Sequence, residues 1–275
     1  MRDESCGDCV FYAETRVREL VKHSRPLPGG HFFAEISDEI DEAVNEGLAR
    51  AQRGEAVAVI REFQTMLEGH PRSHTLLFGI GTAHTCLGKH REAIEWFERA
   101  IGIYPHCIEA RINLALAHQK LGDFSNAVRS HRKVLEYGDR HDPDVARSKE
   151  FIDDVTAMLR AKHNGISIDA FLKSSDDFNA AFACMERKEW ENAARLFKAV
   201  LKVNPVSVPA HGNLGLCYAQ LGRKADALAA LHKALDLDPY YQPAQVNLMN
   251  AEDMEEGKPL SGMEFVEAGS LFEER

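Results

Sequence analysis

The sequence predicts an all-α stack of helical hairpins, and three recurrences predict it. Pro71 and Pro105 lie 34 residues apart, as do Pro205 and Pro239, and each closes a stretch with two helix-sized apolar stripes. With units of 34 residues starting at Ile40, His74, Ile108, Ser174 and Val208, the eighth position holds Gly47, Gly81, Ala115, Ala181 and Gly215. The twentieth holds Val59, Ala93, Ala127, Ala193 and Ala227. Small residues at these two places let facing helices approach closely. Self-similarity at a period of this length is the signature of an array whose units bury their apolar faces on one another.

Each element follows from its own residues. Gly54, Gly88, Gly122 and Gly222 occupy the fifteenth position, where a left-handed residue ends a helix. Lys188 replaces the glycine in the fourth unit, so that turn is expected to differ. Phe63, Phe97, His131, Phe197 and Leu231 stand at the twenty-fourth position as plugs between helices. Before the first unit, Cys6, Val10, Ala13, Val17 and Leu20 recur at three- and four-residue steps, an amphipathic helix followed by the linker "SRPLPGG" within residues 1–36. Repeats one to three then occupy 37–141. Residues 142–173 break the pattern: "DPDVARSKEFIDDVTAMLRAKHNG" reads as one long helix with Pro143 near its start and Asn164-Gly165 at its stop, and "ISIDAFLK" as a short helix or turn. This is a degenerate repeat or an insertion before repeats four and five at 174–241. Residues 242–256 read as a capping helix and 257–275 as an acidic, mobile tail.

The pattern resembles the tetratricopeptide repeat, most closely in "LLFGIGTAHTCLGKHREAIEWFERAIGIYP" and "NLGLCYAQLGRKADALAALHKALDLDP". The resemblance covers about 170 residues and implies a right-handed α-solenoid of helix-turn-helix repeats with capping helices. It implies a binding scaffold and leaves the partner open, because one fold serves many partners.

Composition narrows the classes. The chain has 275 residues, 44% of them hydrophobic and 28% charged, with a formal charge of −10. Eight Asp/Glu against two Lys/Arg fall between Glu252 and Arg275. An acidic balance argues against a nucleic-acid partner, since phosphates demand a basic face. No apolar run is long enough to span a membrane and the first residues lack a secretory pattern, so the expected location is the cytoplasm. Six scattered Cys, several inside helical patterns, suit a reducing compartment.

The chain has ten Asn, and five of them, Asn45, Asn113, Asn179, Asn213 and Asn247, take the sixth position of successive first helices, with Gly79 the exception. Asn is an indifferent helix former, so the recurrence asks for a reason. A carboxamide carries a donor and an acceptor and can pair with the main chain of an extended peptide. The row resembles the asparagine ladder of the tetratricopeptide superhelix in O-linked N-acetylglucosamine transferase. Positions five and nine add Val44, Leu48, Phe78, Thr82, Ile112, Leu116, Phe178, Phe182 and Leu216, so the expected groove is apolar with an amide row through it. Local hydrogen bonding is the plainer explanation for the Asn, and a tightly closed array the plainer one for the apolar residues. Family members that grip a chaperone's terminal carboxylate use Lys and Arg at positions two and six of the third repeat; Glu109 and Asn113 stand there.

Chemistry is otherwise sparse. Cys6 and Cys9 form one CxxC, short of the four ligands of a structural zinc site, and leave a metal- or thiol-dependent activity as a further alternative. His84 and His118 share the eleventh position and His131 fills a plug position, places the family gives to packed aromatic rings. No nucleophile elbow, phosphate loop or HExxH helix is present, so no enzyme activity, cofactor or metal is expected. The sequence thus points to a non-catalytic adaptor binding a protein or peptide partner, with homodimeric self-assembly through the same surface as the alternative.

Overall fold

The computed structural model describes residues 38–162 and 165–260. The expected N-terminal helix, the CxxC at Cys6 and Cys9, and residues 261–275 with Phe265 and Phe272 lie outside the described residues. Those described form helices and no strand. The first hairpin pairs α1 (Asp38–Arg50) with α2 (Ala56–Gly69) across a wide π turn, Ala51–Glu55, in which Gly54 has φ +101°. There follow α3 (His74–Cys86) and α4 (His90–Ile103), α5 (Ile108–Lys120) and α6 (Phe124–Tyr137), and the long α7 (Pro143–Lys162). Beyond it come α8 (Ile168–Glu186) and α9 (Trp190–Val203), α10 (Val208–Gln220) and α11 (Lys224–Leu237), and α12 (Gln242–Glu252). The chain divides into two compact units, Met1–Asp153 and Asp154–Arg275, the division falling inside α7.

Close approach explains the helix pairing. A Cβ on Gly81 would lie 2.6 Å from the Phe97 ring, one on Gly215 2.6 Å from Leu231, and one on Gly47 would collide with Phe63. In the first, second and fifth repeats the eighth position therefore seats the twenty-fourth, and the plugs Phe63, Phe97, Phe197 and Leu231 are fully buried. Gly79 has a similar cause: a Cβ there would lie 2.9 Å from Phe63 of the preceding repeat, leaving no room for the Asn of other units.

Capping sets the helix starts. Ser73 Oγ accepts from Leu76 N–H, Ser207 Oγ from Ala210 N–H, Ser167 Oγ from Ala170 N–H and Asp123 from Asn126 N–H. Between repeats, the fourth residue of the following helix reaches back to a proline carbonyl: Arg111 to Pro105 (2.6 Å), His211 to Pro205 (3.0 Å) and Gln245 to Pro239 (2.8 Å). Three different side chains thus tie down the same loop.

Two local expectations are corrected. "ISIDAFLK" does not form a separate element, because Ile168 to Lys173 run straight into the first helix of the fourth repeat as α8. Nor does the turn at Lys188 differ. Lys188 adopts φ +60°, its N–H donates to Met185 O (2.8 Å), and Glu189 N–H donates to Cys184 O (2.8 Å), the scheme seen at Gly88, Gly122 and Gly222. A side chain held in the left-handed region is strained, so Lys188→Gly is expected to stabilise the second unit by about 1 kcal/mol, measured as a shift in urea midpoint without a change in slope.

His131 is the polar plug. Gln119 Nε2 stands 2.8 Å from His131 Nε2, and His131 Nδ1 stands 3.0 Å from Ser148 Oγ. An amide nitrogen only donates, so Nε2 accepts and Nδ1 carries the proton to Ser148. The ring also packs on Phe151 at 4.4 Å between centroids, pinning the start of α7 to the third hairpin.

Candidate functional site

The first helices of the repeats carry the predicted site: α1, α3 and α5 in one unit, α8, α10 and α12 in the other. In α3 every residue from His74 to Ala83 is buried, and in α10 every residue from Gly212 to Ala219. A helix packed against its own partner and against both neighbouring hairpins has little circumference left.

This changes the expected groove. Phe78 and Ile112 are each 2% exposed and Leu216 1%; Val44, Leu48, Thr82 and Phe178 are equally covered. These residues are packed core, so the apolar lining expected from the sequence shrinks to Leu116 and Phe182, both half-buried. Position five or nine in the repeat tells where a residue points along the helix and says nothing of what covers it.

The asparagines divide. Asn179 is exposed, Asn45 half-buried, and Asn113, Asn213 and Asn247 are buried at 5%, 1% and 2%. Neither Asn213 nor Asn247 is without a partner. Asn113 differs from both, since its Oδ1 and Nδ2 are buried and neither has a hydrogen-bond partner. An unmet donor and acceptor in one buried side chain is costly, on the order of 1–3 kcal/mol for each group.

The histidines belong to packing. His84 stacks on Trp96 at 6.5 Å between centroids, and His118 Nδ1 stands 3.1 Å from Asp123 Oδ2. Burial would push the Asp123 carboxyl up, but hydrogen bonds from His118 and from the side chain and backbone of Asn126 outweigh it and hold the group well below the usual carboxylate range. His74 and His131 are both lowered by burial to about 4. Cys107 and Cys217 are buried thiols that desolvation pushes up, Cys217 to about 12, so neither is a nucleophile at neutral pH. Among the described residues no group of three His, Cys, Asp or Glu could hold a metal ion, and no helix is long and apolar enough to cross a membrane.

Sequence reading missed the segment after α12. Residues 257–260, expected as mobile tail, are hydrogen-bonded to the turn between α10 and α11. The available signal was Gly257, a glycine between acids and "KPL" whose φ of +84° shapes the return.

Within each unit, paired helices that seat a small residue against a large plug and stack on the next pair define a helical-repeat protein. Family models described as Tetratricopeptide repeat match residues 44–106 and 185–241, and a second of the same description matches 110–146. Together they cover more than half of the chain, which belongs to the tetratricopeptide repeat family, a family of protein-interaction scaffolds. Among solved structures, the chain is similar to the TPR2AB domain of yeast Sti1 in complex with pHSP90, at 18% identity and TM-score 0.39, over 78% of this chain and 83% of that one. It is similar to MamA at 14% identity and TM-score 0.37, over 74% and 94%. It is also similar to YrrB, described as a TPR protein with an unusual peptide-binding site, at 16% identity and TM-score 0.32, over 66% and 95%. No curated protein matches the chain.

Proposed function

We propose that this chain is a non-catalytic scaffold that binds an extended peptide segment of a partner protein along its first helices, with Asn113 pairing the peptide main chain. The observation that carries the reading is the Asn113 carboxamide, buried with both polar atoms unmet: burial satisfies Phe78, Ile112 and Leu216 but not an amide, and a peptide reaches it by displacing the side chains that close over α5. A peptide unit offers the complementary pair, one N–H and one C=O, at a spacing a carboxamide can meet. Leu116, one turn on in α5, supplies apolar contact. Within the other unit, taken by itself, exposed Asn179 and half-buried Phe182 on α8 offer a like pairing of amide and apolar side chain. Asn45, half-buried on α1, extends the set in the first unit. The partner is a protein and not a nucleic acid, in keeping with the charge of −10. Glu109 and Asn113 at the clamp positions of the third repeat make a free C-terminal carboxylate a poor ligand, so the segment is internal.

The test is selection from a displayed library of random peptides, followed by titration calorimetry of the best binder against wild type and Asn113→Ala. Loss of two hydrogen bonds should weaken binding about tenfold, at roughly 1 kcal/mol for each bond less compensation by water. Unchanged affinity would assign Asn113 to architecture and remove the main-chain reading.

A further inference from the structure

Beyond Glu252 the chain turns back and residues 253–260 lie as a strap over the turn that joins α10 to α11. The strap runs antiparallel to that turn: Gly257 N–H donates to Gly222 O (2.8 Å) and Leu260 N–H to Ala219 O (3.1 Å). Met254 and Leu260 are 7% and 8% exposed within the core of this unit, while the five residues between them are exposed. The Glu256 carboxylate accepts from Ala225 N–H (3.2 Å) at the first turn of α11, where unpaired backbone donors and the helix dipole favour an anion. Lys224 Nζ donates to the carbonyls of Glu252 (2.6 Å) and Met254 (2.7 Å). The backbones meet glycine to glycine, and a Cβ on Gly222 would lie 2.9 Å from the Gly257 carbonyl carbon.

The same turn is bare in other repeats. Gly88 and Gly122 share the left-handed conformation of Gly222, yet a Cβ on either would have nothing within 4 Å. Leu87 and Leu121 are 36% and 41% exposed, whereas Leu221 is partly buried in the core. The repeat architecture therefore does not require a cover on this turn. What binds there binds as an extended peptide does, through main-chain bonds, one acid and two inserted apolar side chains, Met254 and Leu260.

We infer that the turn closing the last repeat is a second peptide-docking site, held in cis by residues 253–260, and that it accepts from a partner protein an extended segment with an acidic residue four positions before a Leu and a glycine directly after the acid. The inference stands apart from the Asn113 reading, since it involves neither the same helices nor the same chemistry. A tethered segment competes at an effective concentration on the order of millimolar. The strap consequently shuts out weaker ligands and yields the site to a partner that is tighter or that captures the strap.

The probe is a fluorescein-labelled, C-terminally amidated peptide with the sequence of residues 253–260, titrated by anisotropy into full-length protein. Leu260→Asp removes one of the two buried anchors, and Gly257→Val detaches the strap through its backbone without touching the core, so one variant covers a folding failure of the other. Circular dichroism establishes that helix content is kept. The peptide should bind either strap variant at least tenfold more tightly than wild type. Adding Gly222→Ala should abolish that gain, whereas adding Gly122→Ala, which imposes the same backbone strain at a bare turn, should leave it. A Glu256→Gln change within the peptide should weaken it several-fold. The inference is overturned if the peptide binds no well-folded strap variant, if it binds wild type and strap variants alike, or if Gly122→Ala matches Gly222→Ala.

Discussion

Replacing Asn113 by Leu is expected to make the protein more stable, by roughly 1–3 kcal/mol, while weakening its peptide affinity about tenfold. A buried amide that serves the fold makes hydrogen bonds, and replacing it costs stability. Asn113 makes none with the protein, so an apolar side chain of similar size removes a desolvation penalty and adds contact with the apolar residues around α5. A gain of this size should raise the thermal midpoint by several degrees. Differential scanning calorimetry of wild type and Asn113→Leu, beside titration with a selected peptide, reads both sides. Higher stability with weakened binding marks a residue retained for a ligand. A fall in stability would mean that Asn113 holds the hairpins together, and the binding proposal would go with it.

Much of the fold was legible because it lies in repeated steric pairs. Gly81 and Phe97, or Gly215 and Leu231, stand at fixed positions in the period, and the structure places each pair in contact. Where an outcome depended on a neighbour outside the unit, the sequence was silent. Gly79 stands in place of Asn because Phe63 of the previous repeat fills its space, a fact no single unit contains. Lys188 looked like a broken turn, but the hydrogen bonds of the flanking helices hold it in the conformation that glycine adopts freely. Phe78, Ile112 and Leu216 had the right phase for a groove, and packing from adjoining hairpins covered them. The strap had no periodicity to read, since main-chain bonds and two anchors hold it where an apolar stripe would hold a helix. The asparagine row was legible as a recurrence, but only burial and pairing separate Asn113 from Asn213 and Asn247.

Acidification should unfold the first unit before the second, and His74 and His131 are the reason. Both rings are held neutral by burial, with their pKa lowered from 6.5 to about 4. An unfolded chain takes up these protons at its ordinary value, while the folded unit takes them up only near 4. Stability is therefore complete above about pH 6.5, falls as the pH drops from there to about 4, and levels off below. The difference corresponds to about 3 kcal/mol for each ring, a large share of what a domain of this size commands. Asp123 does not confound the window, because a carboxylate held below its usual range loses its contribution only at lower pH. Asp41, raised by burial, works in the opposite sense: the folded unit takes up its proton above the ordinary carboxylate value, so it offsets part of the loss at the acid end of the window. In the second unit His211 is lowered in the same direction, but burial is there offset by its bond to the Pro205 carbonyl. Urea melts followed at pH 7.5, 5.5 and 4.5 should show one transition moving to lower denaturant with acid and the other moving less. His131→Phe restores the plug found in other repeats and leaves Ser148 and Gln119 without the ring they bond. At pH 7.5 that variant should be the less stable protein, by about 1 kcal/mol for the lost hydrogen bonds. By pH 4.5 the order should reverse, since phenylalanine has no proton to gain. Parallel pH profiles for wild type and His131→Phe would show that the buried imidazole does not control the acid sensitivity of the first unit.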